Sequence, residues 1–168
     1  MVKRTAGLAY LEFFYPIHYK VGIGVEDALR DGRLTRHQVA ILWLIRSEGE
    51  DGRCMRRKDI ERFMCTWFEI GSSAISKALR AMTRAPTDFV TLAEDPNSGR
   101  EKLVTLSPEG SRFLDEAIGR GADFITAIVE RMTEAEIADG LRIFARISEI
   151  HDEVHSTATA RRNARRET

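Results

Sequence analysis

Ser72-Ser-Ala-Ile-Ser-Lys-Ala-Leu-Arg-Ala-Met82 carries two patterns at once. Ile75, Ala78, Leu79 and Met82 fall at i, i+3, i+4 and i+7, which predicts one short helix with an apolar stripe facing a core. Ser73, Ser76, Lys77 and Arg80, continuing to Arg84, lie on the other side with no acid among them. A helix that buries one face and offers hydroxyls, a lysine and arginines on the other suits the major groove of DNA. Taken alone, the stretch fits an ordinary solvated amphipathic helix better. Its surroundings decide for DNA.

Those surroundings are charged in one sense. From Arg53 to Arg84 there are eight basic residues (Arg53, Arg56, Arg57, Lys58, Arg62, Lys77, Arg80, Arg84) against three acids (Asp59, Glu61, Glu69), a formal +5. The chain as a whole balances 26 basic against 26 acidic residues, so the remainder carries −5. A concentrated positive patch on a neutral chain is a phosphate-binding footprint.

Immediately upstream, Ile60, Phe63, Met64 and Trp67 form the inner face of a helix beginning at Arg56 or Arg57. Two short helices joined through Thr66 to Gly71, the second bearing the basic face, make a helix-turn-helix pattern. Thr66 and Glu69 also have the spacing of a capping box, which would start the second helix earlier. Further back, Thr35 and Gln38 form a capping box for a helix in which Val39 to Ile45 is an unbroken apolar run including Trp43. Such a run predicts a central helix touched from all sides.

Downstream the period changes from helical to alternating. Phe89 to Glu94 and Lys102 to Leu106 are short β-favouring runs flanking the turn-rich loop Asp95-Pro-Asn-Ser-Gly-Arg100, which predicts a hairpin. A hairpin directly after the helix pair is the wing of a winged helix-turn-helix. Asn97, Ser98 and Arg100 at its tip are candidate DNA contacts, Arg100 suiting a minor groove. Asp95 is placed to hold Arg100 or the loop in shape.

At 168 residues and 43% hydrophobic, the chain is long enough for such a domain with appended helices. Leu8 to Leu29 is apolar on nearly all sides and interrupted by Pro16, predicting a bent or restarted helix. Gly22 and Gly24 lack any phosphate-loop context and read as packing or flexibility sites, and Asp31-Gly32 closes the helix. Ser107-Pro108 supplies a cap and a first-position proline for a long helix weakened by Gly119 and Gly121. Thr133 and Glu136 form a further capping box for a last helix holding Leu141, Phe144, Ile147 and Ile150. The basic end, Arg161 to Thr168, predicts disorder. The expected organisation is therefore an N-terminal helix over 1–33, a winged helix over 34–106, C-terminal helices over 107–157 and a basic disordered tail over 158–168. The fold class is mainly α with a small β-hairpin wing.

This order of elements resembles the MarR family of bacterial transcription regulators. The resemblance is carried by Leu34-Thr35-x-x-Gln38, Ala74-Ile75-Ser76-x-x-Leu79, Glu94-Asp95-Pro96 through Gly99-Arg100-Glu101-Lys102, and Val104-Thr105-Leu106-Ser107-x-x-Gly110. It covers roughly Leu34 to Leu114; the outer helices match in placement alone. The wing departs from the family in the Pro-Asn-Ser-Gly spacer between Asp95 and Arg100. The likeness implies a homodimer joined through the first and last helices, which become dimerisation helices, and binding to a palindromic operator, usually as a repressor. Two recognition helices would then enter successive major grooves about one turn apart. Ser72, Ser73, Ser76, Lys77 and Arg80 are the candidate readers of bases or backbone; Arg56, Arg57, Lys58 and Arg84 are candidate phosphate contacts.

Many family members release DNA when a small, often aromatic, effector binds, and Phe14, His18, Trp43, Arg46 and Phe113 are candidate lining for such a site, beside the simpler reading that each is core or interface. Cys54 and Cys65 are too few for a disulfide framework and lack metal-ligand spacing. Cysteine sensing also occurs in the family, yet small buried cysteines are common. His151 and His155 stand four apart, but His-Asp-Glu-Val-His matches no metalloprotease helix, and a solvated helix end accounts for them. With no nucleophile and base in motif context, no phosphate loop and no metal cluster, neither catalysis nor a cofactor is expected. The absence of a signal peptide or an uncharged run of membrane length predicts a cytoplasmic protein. The alternative is a winged helix turned into a protein-interaction module with DNA binding lost; the retained serines, Lys77, Arg80 and Arg100 speak against it.

Overall fold

A computed structural model of the chain describes residues 2–96 and 98–164, with side chains except at 2, 99, 100 and 155–164. The elements run α1 (Val2–Pro16), a π-helical stretch (Ile17–Gly22), α2 (Ile23–Arg30), α3 (Arg36–Glu48), β1 (Cys54–Arg56), α4 (Arg57–Trp67), α5 (Ser72–Met82), β2 (Val90–Asp95), β3 (Ser98–Leu106), α6 (Pro108–Val129) and α7 (Glu134–Ala164). This is the expected class, a mainly helical winged helix. Contacts divide the chain into two units, and the boundary falls inside α6 between Ile125 and Thr126. It lies there and not at residue 106 because the first turns of α6 belong to the winged-helix core: Phe113, Leu114 and Ala117 are fully buried.

The cap residues set where the helices start. Thr35 Oγ1 accepts from the Gln38 amide at 3.3 Å while Gln38 Oε1 accepts from the Thr35 amide at 2.9 Å, satisfying two amides the first turn leaves open. Ser107 does the same for α6, accepting from the Gly110 amide at 2.9 Å and donating to the Asp88 carbonyl at 2.7 Å. At the head of α7 the Thr133 amide and hydroxyl each lie 2.8 Å from Glu136 Oε2. These bonds hold the Glu136 carboxyl below its ordinary value of 4.5, the backbone bond contributing most. Their contribution to the helix start is present above that value and is lost as pH falls through the lowered one.

Around α3 the core closes on most sides. Ile41, Leu42, Leu44 and Ile45 of α3, Ile60 and Met64 of α4, and Ile75, Leu79 and Met82 of α5 are fully or almost fully buried with Phe89 and Phe113. Trp43 corrects the expectation of a helix covered all round, being 43% exposed. It shares its side of α3 with Arg36, Ala40 and Ser47, where the core ends. Trp67, at the last position of α4, is 49% exposed.

The sheet has three antiparallel strands in the order β1-β3-β2. Val90 pairs with Leu106, Leu92 with Val104 and Glu94 with Lys102, before a register shift at Glu94/Asp95 brings Asp95 opposite Ser98. β1, absent from the sequence expectation, adds Cys54 opposite Thr105 and Arg56 opposite Leu103. Three residues show no alternation long enough to signal a strand.

Pro16 ends α1 without ending the helical path, since the missing amide falls where the backbone widens into the π-helical stretch. Asp31 and Gly32, at φ 52° and 63°, then terminate α2. Gly24 is a packing site: a Cβ there would run into the Phe124 ring. Gly121 does not weaken α6 idly, because it is buried and a Cβ would stand 3.0 Å from Leu29 Cδ2. The α7 helix continues to Ala164, so residues 158–164 are helical where a disordered tail was expected; alanine and arginine are good helix formers. Residues 165–168 of that tail lie outside the described residues.

Large apolar side chains remain uncovered on the outer helices, among them Leu11, Phe13 and Tyr15 in α1 and Leu141 and Phe144 in α7. Among the described residues no helix is long and apolar enough to cross a membrane.

Gly110 packs against the Phe89 carbonyl so closely that any Cβ would collide with it. Gly110→Ala is expected to lower unfolding stability by about 1–3 kcal/mol, the usual cost of overpacking against backbone, measured by chemical denaturation.

Candidate nucleic-acid interface

The recognition helix exists because of what it buries. Ile75, Leu79 and Met82 are at most 1% exposed, while Ser73, Lys77 and Arg80 on the same helix face outward. Its start is settled at Ser72, with Gly71 as an N-cap that offers no side-chain bond. Thr66 and Glu69 do not form the alternative capping box: the Thr66 hydroxyl bonds back to the Arg62 carbonyl at 3.0 Å, inside α4. Lys77, Arg80 and Arg84 line one shallow depression with Ala81. Three cations gather at this one concavity, with no acid lining it.

The run Arg56-Arg57-Lys58 is not one basic cluster in three dimensions. Arg56 turns to the wing, its Nε lying 2.9 Å from Asp95 Oδ2 and 4.0 Å from Glu101 Oε2. Asp95 is almost fully buried, so this pair ties the β2–β3 turn to the head of α4. Arg57 reaches the other way and donates to Ser72 Oγ and Ser76 Oγ, both at 3.0 Å. Lys58 is the exposed member, 81% accessible with Glu101 Oε1 at 3.7 Å. Of these three, Lys58 alone presents a largely solvated charge, and Arg84, the fourth expected phosphate contact, is exposed just beyond α5.

At the wing tip Ser98 is partly buried in β3. Asn97 and the side chain of Arg100 lie outside the described residues. The sequence did not nominate His37, which lines a groove along α5 with Thr35, Gln38, Lys77 and Ala78 and stands edge-on to the Phe68 ring at 5.0 Å. A lone histidine in the first turn of α3 carries no pattern that sequence spacing could have found.

The five candidate effector residues do not line one cavity. Phe113 is core, stacked on Phe89 at 4.7 Å. Arg46 is paired with Asp115 at 2.8 Å, and Phe14 and His18 are exposed on α1 and the π-helical stretch. Trp43 does line a cavity of about 180 Å³, together with Leu29, Arg36, Val39, Trp67 and Phe68. The apolar side of α3 left open by the core makes this cavity. Its other walls come from residues far apart in sequence, so spacing did not announce them.

Both thiols are free. The Cys65 thiol donates to the Ile70 carbonyl at 3.3 Å, and Cys54 sulfur accepts from the Thr105 hydroxyl at 3.3 Å. His151 lies beside Asp152 at 3.3 Å, the His155 side chain is outside the described residues, and no cluster of three or more metal-ligand side chains occurs among those described.

Residues 34–110 match the family model of a winged helix DNA-binding domain. No curated protein matches the chain by sequence. Among solved structures, the transcriptional regulator Tm0710 from Thermotoga maritima is 17% identical, with a TM-score of 0.65, 89% of this chain and 98% of that chain being covered. Apo MarR from E. coli is 17% identical at a TM-score of 0.65, covering 81% and 93%. BpsR from Bordetella bronchiseptica, a protein whose DNA binding is regulated by 6-hydroxynicotinic acid, is 17% identical at 0.57, covering 82% and 91%.

The buried carboxylate of Asp95 ties wing to helix, so Asp95→Ala is expected to cost about 1–3 kcal/mol. It should also speed amide hydrogen exchange across the β2–β3 turn. Thermal unfolding and exchange of β2 and β3 amides measure the two effects.

Proposed function

Residues 34–110 being a winged-helix DNA-binding domain in a chain of the MarR regulator fold, we propose that the protein is a homodimeric transcription repressor of a palindromic operator, released by a small aromatic effector. The observation that carries this reading is the outward stripe of Ser73, Lys77 and Arg80 on α5, free of acids. Hydroxyls and long cations of this kind hydrogen-bond base edges and phosphates.

Dimerisation is supported by the apolar surface on α1 and α7. Leu11, Phe13 and Tyr15 are each about two thirds exposed, as are Leu141 and Phe144, far more apolar side chain than a solvated helix retains without cover. A second copy joined by a two-fold axis would set two α5 helices for the two halves of a palindrome. Effector release draws support from the cavity beside Trp43, Trp67 and Phe68 and from the regulation of BpsR by an aromatic acid. Repression and a cytoplasmic location follow from the same reading.

Fluorescence anisotropy on DNA from upstream of the protein's own gene, beside a random duplex at two salt concentrations, tests the reading. Tight binding that prefers the upstream DNA and weakens with salt is the expected result. Absence of binding to any duplex would overturn it in favour of an interaction module. Arg80→Ala is expected to weaken the specific complex about tenfold or more, whereas Lys58→Ala should weaken binding to all sequences alike and reduce the salt slope by about one. Sedimentation equilibrium is expected to give a dimer.

A further inference from the structure

Arg57 is the first residue of α4 and Ser72 the first of α5. One amino nitrogen of Arg57, Nη2, serves three acceptors: Ser72 Oγ and Ser76 Oγ at 3.0 Å and Glu61 Oε2 at 3.2 Å. The Ser76 hydroxyl donates its own proton to the Ser72 carbonyl at 2.8 Å, which leaves its oxygen to accept from Arg57. The Ser76 hydroxyl is therefore engaged both as donor and as acceptor within the protein, and the Ser72 oxygen accepts from Arg57.

Electrostatics do not account for this placement. The N-terminal turns of two helices both disfavour a cation, and the pair with Glu61, about one third exposed, adds little. What the bonds define is an orientation. At roughly 100° per residue around the axis, Ser72 and Ser76 stand at the edge of the polar face next to Leu79. Ser73, Lys77 and Arg80 stand opposite the buried Ile75, Leu79 and Met82. Holding that edge refines the rotation that burial of Ile75, Leu79 and Met82 gives α5, and with it the direction in which the outward stripe points.

We infer that Arg57 is a positioning residue that sets DNA sequence specificity by holding Ser72 and Ser76, and that base reading falls to Ser73, Lys77 and Arg80. This rests on the DNA-binding reading above, and it moves Arg57, Ser72 and Ser76 from the contact surface to its support.

Sites selected by the full-length protein from a random duplex library give the preference at each base position. Arg57→Ala is expected to lower affinity for the selected site about tenfold and to flatten the preference over several positions together. Affinity for random duplex and the salt slope should stay as in the wild type, because no phosphate contact is lost. The double change Ser72→Ala with Ser76→Ala should reproduce this profile, and adding it to Arg57→Ala should make nothing worse. Ser73→Ala should instead change the preference at one position or two adjacent ones.

A salt slope smaller by about 0.9 in Arg57→Ala, with equal loss on random DNA, would make Arg57 a phosphate contact and overturn the inference. So would a change at a single base position on Ser76→Ala alone. If Arg57→Ala does not fold, the serine pair carries the same test with smaller substitutions. A wild type that selects sites while the Arg57 and serine variants select identically overturns this inference alone; a wild type that selects none overturns the DNA-binding reading with it.

Discussion

Burial of Ile75, Leu79 and Met82 is the contact on which everything else in the winged helix depends. An 11-residue helix with no side-chain N-cap is marginal in isolation, because nucleation costs more than so few backbone bonds return. Docking these three side chains against α3 and α4 contributes about 1.5–3 kcal/mol each, and that docking makes α5 a helix. The same docking turns Ser73, Lys77 and Arg80 away from the core. The fold and the interface thus follow from one amphipathic pattern.

A second constraint is how the basic run at the head of α4 is distributed. Three consecutive cations where β1 meets α4 would repel one another if all faced solvent. Arg56 goes to the buried Asp95, Arg57 to the serines of α5, and Lys58 stays solvated. The first of these links ties the wing and the second ties the start of α5 to the junction of β1 and α4. That junction is the reference point from which α5 and the wing are both held. Asp95 is effective in this role because burial removes the water that would compete for Arg56.

Much of this was legible in the sequence, and the parts that were not have physical reasons. Capping boxes at Thr35/Gln38 and Thr133/Glu136 and the Ser107 cap are local, so spacing alone finds them. The amphipathic α5 and the β2–β3 hairpin are likewise encoded by their own periodicity. β1 escaped because three residues cannot display a period. Trp43 was misjudged because an unbroken apolar run says that a helix is buried without saying on which side the cover ends. The pairing of Arg56 with Asp95 and of Arg57 with Ser76 was not legible, because composition reports charge but not the long-range partners that engage it. The cavity between Leu29, Trp43 and Phe68 was not legible either, since it is a property of elements brought together by the fold.

We propose that α5 and the wing are the surface that meets DNA. Amide hydrogen exchange of the protein, free and bound to a selected duplex, measures this most directly. Protection concentrated over residues 72–84 and the β2–β3 turn is the predicted result. Protection confined to α1 or α7, with α5 unchanged, would contradict it.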